Sequence, residues 1–148
     1  MSSNSNRGAF NHFNQQLIAD LRANAGQATY GPFVGRPLVI LGTVGARSGD
    51  QRETPLVYTR SGDDYVIIAS KGGAPTHPSW YHNLVANPLV TVEILGETFR
   101  ARARVAEGDE RDRLYRNQAA VMPVFAEYQQ KTSRQIPVVV LERISAWA

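Results

Sequence analysis

The chain has 148 residues, a formal net charge of +3 and 43% hydrophobic residues. That length supports one domain with a substantial core and leaves little room for two, and the hydrophobic share excludes a chain disordered throughout. Cysteine is absent, which excludes disulfides, thiolate catalysis and Cys-ligated zinc or iron–sulfur centres. The small positive charge falls well short of a nucleic-acid tail. No apolar run approaches the ~20 residues of a membrane span, and the start lacks a signal peptide's apolar core, so the cytoplasm is the expected location.

Residues 1–9 are rich in Ser, Asn, Gly and Arg and read as a mobile tail ahead of a single domain over 10–148. Phe10, Phe13, Leu17, Ile18 and Leu21 recur at helical spacing, which predicts an amphipathic helix over 10–24. Leu38–Thr43 reads as an apolar strand. Pro55–Thr59 and Tyr65–Ser70 read as two strands of a hairpin around Arg60–Asp64. Pro78 opens a short helix to Ala86, which Asn87-Pro88 ends.

Val90–Leu95 and Thr98–Val105 form a second hairpin around Gly96-Glu97. In its second strand Phe99, Ala101, Ala103 and Val105 alternate with Arg100, Arg102 and Arg104, giving an apolar face and a basic face. Asp109 is the expected N-cap of a helix reaching Ala120; after Pro123 a helix resumes over Val124–Lys131, and Ile136–Leu141 is a last strand. Two hairpins with few long crossovers argue against a doubly wound parallel sheet. The expected fold is mainly β: a small antiparallel barrel with peripheral helices.

Two Gly-rich turns carry the candidate chemistry. The first is Gly45-Ala46-Arg47-Ser48-Gly49-Asp50-Gln51-Arg52, after the Leu38–Thr43 strand; the second is Ser70-Lys71-Gly72-Gly73, after Ile68-Ala69. Glycines allow close backbone approach, and free amides beside cations suit an anion. The first turn has neither a Walker A lysine nor a Gly-x-Gly-x-x-Gly fingerprint. As an anion clamp it would use Arg47, Ser48 and Arg52; otherwise it is a solvated loop. Fourteen of the sixteen cations are arginine, so Lys71 inside the second turn stands out. It reads as a second phosphate contact, with a surface lysine as the plain alternative. Ser70 has no base partner that would make it a nucleophile.

His77 and His82 lack a metal-ligand spacing, and no metal site is expected. Trp80 and Tyr81 pack in the core or line a planar ligand. The arginine stripe reads as a solvated strand face, because Glu97, Glu107, Asp109 and Glu110 lie close by and no aromatic interleaving points to nucleic acid. Phe125 and Tyr128, three apart on a helix, are either core or a substrate-facing wall.

Taken together in order, Gly42–Gly49, Arg52, Pro55–Tyr58, Ala69–Ala74, Pro78–Leu84, Ala86–Pro88 and Tyr128-Gln129 leading to Ile136–Val139 resemble the deazaflavin-dependent nitroreductase family, over roughly residues 34–142. The resemblance implies a split β-barrel of the FMN-binding type and coenzyme F420 as cofactor. It implies an F420H2-dependent reductase passing hydride to a small-molecule acceptor such as a quinone. The anionic tail of the cofactor would lie along Arg47, Ser48, Arg52 and Lys71. The ring would lie near Thr54, Pro55, Leu56, Ile68, Ala69 and Ser70, and against Ser79, Trp80, Tyr81 and Asn83. Ser70 and Tyr128 would order ring or acceptor.

Family members that reduce bicyclic nitroimidazoles carry tyrosines where this chain has Met122 and Phe125. A pocket of Met122, Phe125 and Tyr128 therefore favours a quinone over a nitroimidazole. An FMN-dependent oxidoreductase and a non-catalytic F420 carrier are the alternatives. A homodimer and weak contact with the inner membrane face, through the N-terminal helix, stay open.

Overall fold

In a computed structural model the described residues run from 2 to 144, with side chains described from residue 11. Twelve elements follow one another: α1 (Ser2–Ala23), β1 (Leu38–Val44), β2 (Gln51–Val57), β3 (Thr59–Ser61), β4 (Asp64–Ile68), a single 3-10 turn (Lys71–Gly73), α2 (Ser79–Ala86), β5 (Leu89–Ile94), β6 (Glu97–Val105), α3 (Gly108–Val121), α4 (Val124–Gln130) and β7 (Val138–Arg143). The strands form one seven-stranded sheet in the order β2-β1-β5-β6-β7-β4-β3. Every pairing is antiparallel.

The outermost strands are consecutive in the chain. β2 ends at Val57 and β3 starts at Thr59, with only Tyr58 between them. The sheet therefore curls until its two edges join through one residue, as the expected split barrel requires. Tyr58 is buried, donates its amide to the Pro37 carbonyl and sets its ring edge-on to Tyr65 at 5.5 Å. β3 pairs only with β4, from Thr59↔Val66 to Ser61↔Asp64, whereas β2 pairs only with β1. Beyond Tyr58 the strands part. No ladder joins the outer edge of β2 to the Ile68 end of β4.

Strand alternation sorts the apolar residues into layers. Val39, Leu41, Ile67, Val92, Phe99, Ala101, Val139 and Leu141 point into the barrel, joined by Trp80 and Leu84 of α2. Val66, Ile68, Val138 and Val140 point outward and are covered by Leu114 and Tyr115 of α3 and Phe125 of α4. Leu38 and Ile40 on the outer face of β1 are covered by Leu17, Ile18 and Leu21 of α1. The expected apolar stripe thus packs on the barrel, and Arg22 ties the helix end to Glu53 and Glu93. Phe13, 41% exposed, rests against Phe33 at the margin, while Phe10 falls outside the described side chains.

Several boundaries differ from the sequence reading, among them β4, which ends at Ile68 rather than Ser70, and β7, which spans Val138–Arg143 rather than Ile136–Leu141. The backbone of α1 begins at Ser2, within the segment read as a tail. The strand expected over Pro55–Thr59 starts earlier, at Gln51, and breaks at Tyr58. Its first residues, Gln51, Arg52 and Glu53, are exposed and held by pairing with Val44, Thr43 and Gly42, so no hydrophobic alternation announces them. The N-cap of α3 is Glu107, without a side-chain cap bond, while Asp109 sits with Glu110 in the first turn. Acids there still favour the helix through its dipole.

Candidate functional site

The first Gly-rich turn joins β1 to β2 and holds its own shape. Gly45 N–H donates to the Asp50 carbonyl at 2.7 Å, Gly49 N–H to the Gly45 carbonyl at 2.9 Å, and Asp50 N–H to Ser48 Oγ at 3.1 Å. Asn83 of α2 fixes the turn to the barrel. Its Oδ1 accepts from Ala46 N–H at 2.9 Å, and its Nδ2 donates to the buried Thr43 Oγ1 at 3.3 Å. Among the described residues, the Arg47 and Ser48 amides donate to no protein acceptor, and neither Arg47 nor Arg52 is ion-paired. All three residues are exposed. The turn thus presents two unpaired guanidinium groups and two free N–H groups at one corner of the barrel, a donor set that fits phosphate or carboxylate oxygens.

The second turn departs from β4 in an uncommon conformation. Lys71, Gly72 and Gly73 all have positive φ, at 48°, 64° and 82°. Lys71 pays for the left-handed region about 1 kcal/mol or more, a cost that persists where surroundings over-determine it. Gly73 is required by α4: a Cβ there would come within 2.8 Å of the Tyr128 carbonyl oxygen. Lys71 Nζ is exposed and, among the described residues, donates only to Thr76 Oγ1, at 3.1 Å. Ser70 is 9% exposed; among the described residues its hydroxyl has no protein partner and is not sealed from solvent.

Helix α2 links the turns. Asn83 reaches the first, and Tyr81 packs at 4.8 Å against His77, the rings tilted by 48°, and His77 belongs to the loop leaving the second. Trp80 is buried in the barrel interior, with Tyr81 half-buried beside it and Ser79 exposed. On β2, alternation puts Arg52, Thr54 and Leu56 on the face that Leu56 shares with the barrel interior. Pro55 lies opposite Ile40 and so faces the α1 side. Ile68 and Ala69 are buried on opposite faces at the end of β4.

The expected acceptor residues form one cluster. Met122 and Tyr128 are half-buried, and Phe125 is 8% exposed within the outer core. The Phe125 and Tyr128 rings meet edge-on at 5.3 Å, and the Tyr115 hydroxyl donates to the Phe125 carbonyl. Phe125 therefore holds α4 against the barrel, and Met122 and Tyr128 are the more accessible of the three. A separate groove of about 320 Å3 opens at the other end of β1, between Gly26, Arg36, Pro37, Tyr58 and Leu95. None of the expected site residues line it. The arginine stripe on β6 is interrupted, because Arg104 is bound to Glu110 and Glu142. No group of His, Asp and Glu among the described residues has the arrangement of a metal site.

Sequence reasoning missed Arg134. Its guanidinium donates to the carbonyls of Ser70 at 2.7 Å, Ala74 at 2.8 Å and Ala69 at 3.2 Å, and lies 2.9 Å from His77 Nδ1. With no acid beside it, burial pushes its pKa below the usual arginine range. Burial also pushes the His77 imidazole down, helped by the Arg134 and His82 charges. An arginine in a polar connection shows no periodicity, so nothing local in the sequence signals this role.

A family model described as F420H(2)-dependent quinone reductase matches residues 15–143. An F420H(2)-dependent quinone reductase of Mycobacterium tuberculosis is 43% identical over 113 residues, 72% of this chain and 74% of the relative. A solved F420-H2-dependent reductase, FDR-A, superposes with a TM-score of 0.67 at 44% identity, covering 72% of this chain and 95% of that one. A solved domain-swapped dimer superposes with a TM-score of 0.69 at 35% identity, covering 96% and 100%. The chain belongs to the F420H(2)-dependent quinone reductase family.

Proposed function

We propose that the unpaired edge of β2 and the two Gly-rich turns are where this F420-dependent oxidoreductase binds its cofactor and transfers hydride to a quinone-like acceptor. The carrying observation is the unpaired donor set of the first turn, found on a chain whose family match spans residues 15–143. Arg47, Arg52 and Lys71, with the free Arg47 and Ser48 amides, would hold the phosphate and carboxylates of the tail. Thr54, Leu56, the Ile68–Ser70 strand end and the Ser79–Asn83 turns of α2 would border the ring. Pro55 would contribute backbone, since its ring faces α1.

When bound in reduced form, F420 supplies a hydride. The protein's tasks are orientation and exclusion of water. The Ser70 hydroxyl, without a protein partner among the described residues, would hydrogen-bond ring or acceptor. Tyr128, with Met122, offers the acceptor an apolar wall with one hydroxyl. Apolar walls reward a flat quinone by area and give a nitro group few donors. Weak or absent nitroimidazole reduction follows.

The solved domain-swapped dimer covers nearly this whole chain, which supports a homodimeric form. Among the described residues no helix is long and apolar enough to cross a membrane. Contact with a membrane face, if present, would involve the exposed Phe13 margin of α1.

A titration with F420 and with FMN, followed by a screen of quinone and nitroimidazole acceptors with the reduced form, tests this reading. F420 should bind in preference to FMN, and a menaquinone-like acceptor should turn over faster than a bicyclic nitroimidazole. Preference for FMN would overturn the cofactor site, and binding without turnover on any acceptor would leave a carrier.

A further inference from the structure

We infer that Arg134 is a positioning residue: its guanidinium fastens the Ala69–His77 loop in the conformation that presents Ser70 and Lys71 to the cofactor. This rests on the reading that the second turn touches the cofactor. One side chain meets four acceptors within that loop, the carbonyls of Ala69, Ser70 and Ala74 and the Nδ1 of His77. The loop has few bonds of its own: Gly73 N–H to the Ser70 carbonyl, Ala74 N–H to the Lys71 carbonyl and the exposed Lys71 Nζ to Thr76 Oγ1. Of the three positive-φ residues only Lys71 is strained, and without an outside hold it would leave the left-handed region.

Arg134 is itself anchored from behind. Gln129 of α4 donates through Nε2 to the Arg134 carbonyl at 2.8 Å. The Oε1 of Gln129 accepts from Ile136 N–H at 3.0 Å and from Arg111 Nη2 at 2.9 Å. Arg111, buried on α3, also donates twice to the Ile136 carbonyl, at 3.2 and 2.6 Å. A continuous hydrogen-bonded chain therefore runs from α3 through α4 to the turn. A planar fork is needed at its end, because the Ser70 and Ala74 carbonyls are met by different nitrogens; an ammonium is one point and cannot span them. The bond to Nδ1 also leaves the proton of neutral His77 on Nε2, so the clamp sets the tautomer of the residue packed on Tyr81.

The test compares wild type with Arg134→Gln and Arg134→Lys, and with Arg143→Gln, which loses an exposed pair with Glu97 and a contact over the Phe99 ring, both on other strands than the turn. Amide exchange is measured on cofactor-free protein, and F420 affinity by fluorescence titration. In both Arg134 variants, exchange at Gly73 and Ala74 and the Kd for F420 should each rise about tenfold. The Arg143 variant should match wild type in both. The lysine variant keeps charge and stem, so it supplies the readouts should Arg134→Gln fail to fold. Wild-type exchange in a folded variant would overturn the clamp, and faster exchange with unchanged affinity would overturn the positioning role. Failure of wild type to bind F420 would instead sink the cofactor reading, and the exchange data would still judge the clamp.

Discussion

The side-chain amide of Asn83 accepts a hydrogen bond from the backbone of Ala46 and so couples helix α2 to the turn that follows β1. Asn83 is 8% exposed and its other end meets the Thr43 hydroxyl. Replacing it with leucine strands a donor and an acceptor at once. Asn83→Leu should cost about 1–3 kcal/mol in a urea titration and weaken F420 binding. Asn83→Asp keeps the acceptor for Ala46 N–H and should recover much of the stability, while its negative charge behind the tail site leaves F420 binding weak. Equal losses of stability in the two variants would show that side-chain volume, not the hydrogen bond, matters there.

Arg47 and Arg52 are exposed and lack acidic partners among the described residues. Removing both should weaken F420 binding about tenfold or more at low salt, and less at high salt, where surface charge is screened. Folding stability should hardly change. An unaltered Kd would remove these arginines from the tail site.

Gln118 is 1% exposed on α3, and among the described residues neither its Oε1 nor its Nε2 has a partner. An amide buried in this way costs about 1–3 kcal/mol. Gln118→Met, similar in length and apolar, should therefore raise the thermal midpoint without altering F420 affinity. A lowered midpoint would show that the amide is hydrogen-bonded in solution.

His77 makes the second turn sensitive to pH. Its folded pKa lies below the ordinary 6.5, chiefly through burial and then through Arg134 and His82. On acidification the unfolded chain takes up a proton that the folded chain resists. The stability carried by neutral His77 is thus complete above the ordinary value and is lost as pH falls through the lowered one. Between about pH 7 and pH 5 wild type should lose more stability than His77→Gln, whose amide oxygen accepts from Arg134 without titrating. Parallel loss in both would exonerate His77.

The hairpins, the apolar strands and the order of helices were legible because alternation and turn residues act locally. The two cationic turns were legible for the same reason: glycine and charge stand next to each other in the chain. What joins them was not. Asn83 is one polar residue on a short helix, and its partners Thr43 and Ala46 are far from it in sequence. Arg134, Gln129 and Arg111 belong to three separate segments, and their mutual bonds exist only once α3 and α4 have packed. Phe125 shows the converse: its spacing to Tyr128 suited a ligand wall or core packing equally, and its depth in the outer core decided how much of it a ligand can touch.

The parting of the strands at Tyr58 leaves the molecule with two raw margins of main chain, and an exposed margin invites a stranger's strand. Pro55 blunts one of them, since it has no N–H to offer outward from β2. On the proposed cofactor site, loading with F420 would also cover the rest of that margin, and protein overproduced beyond its cofactor supply should then pair edge to edge and lose solubility.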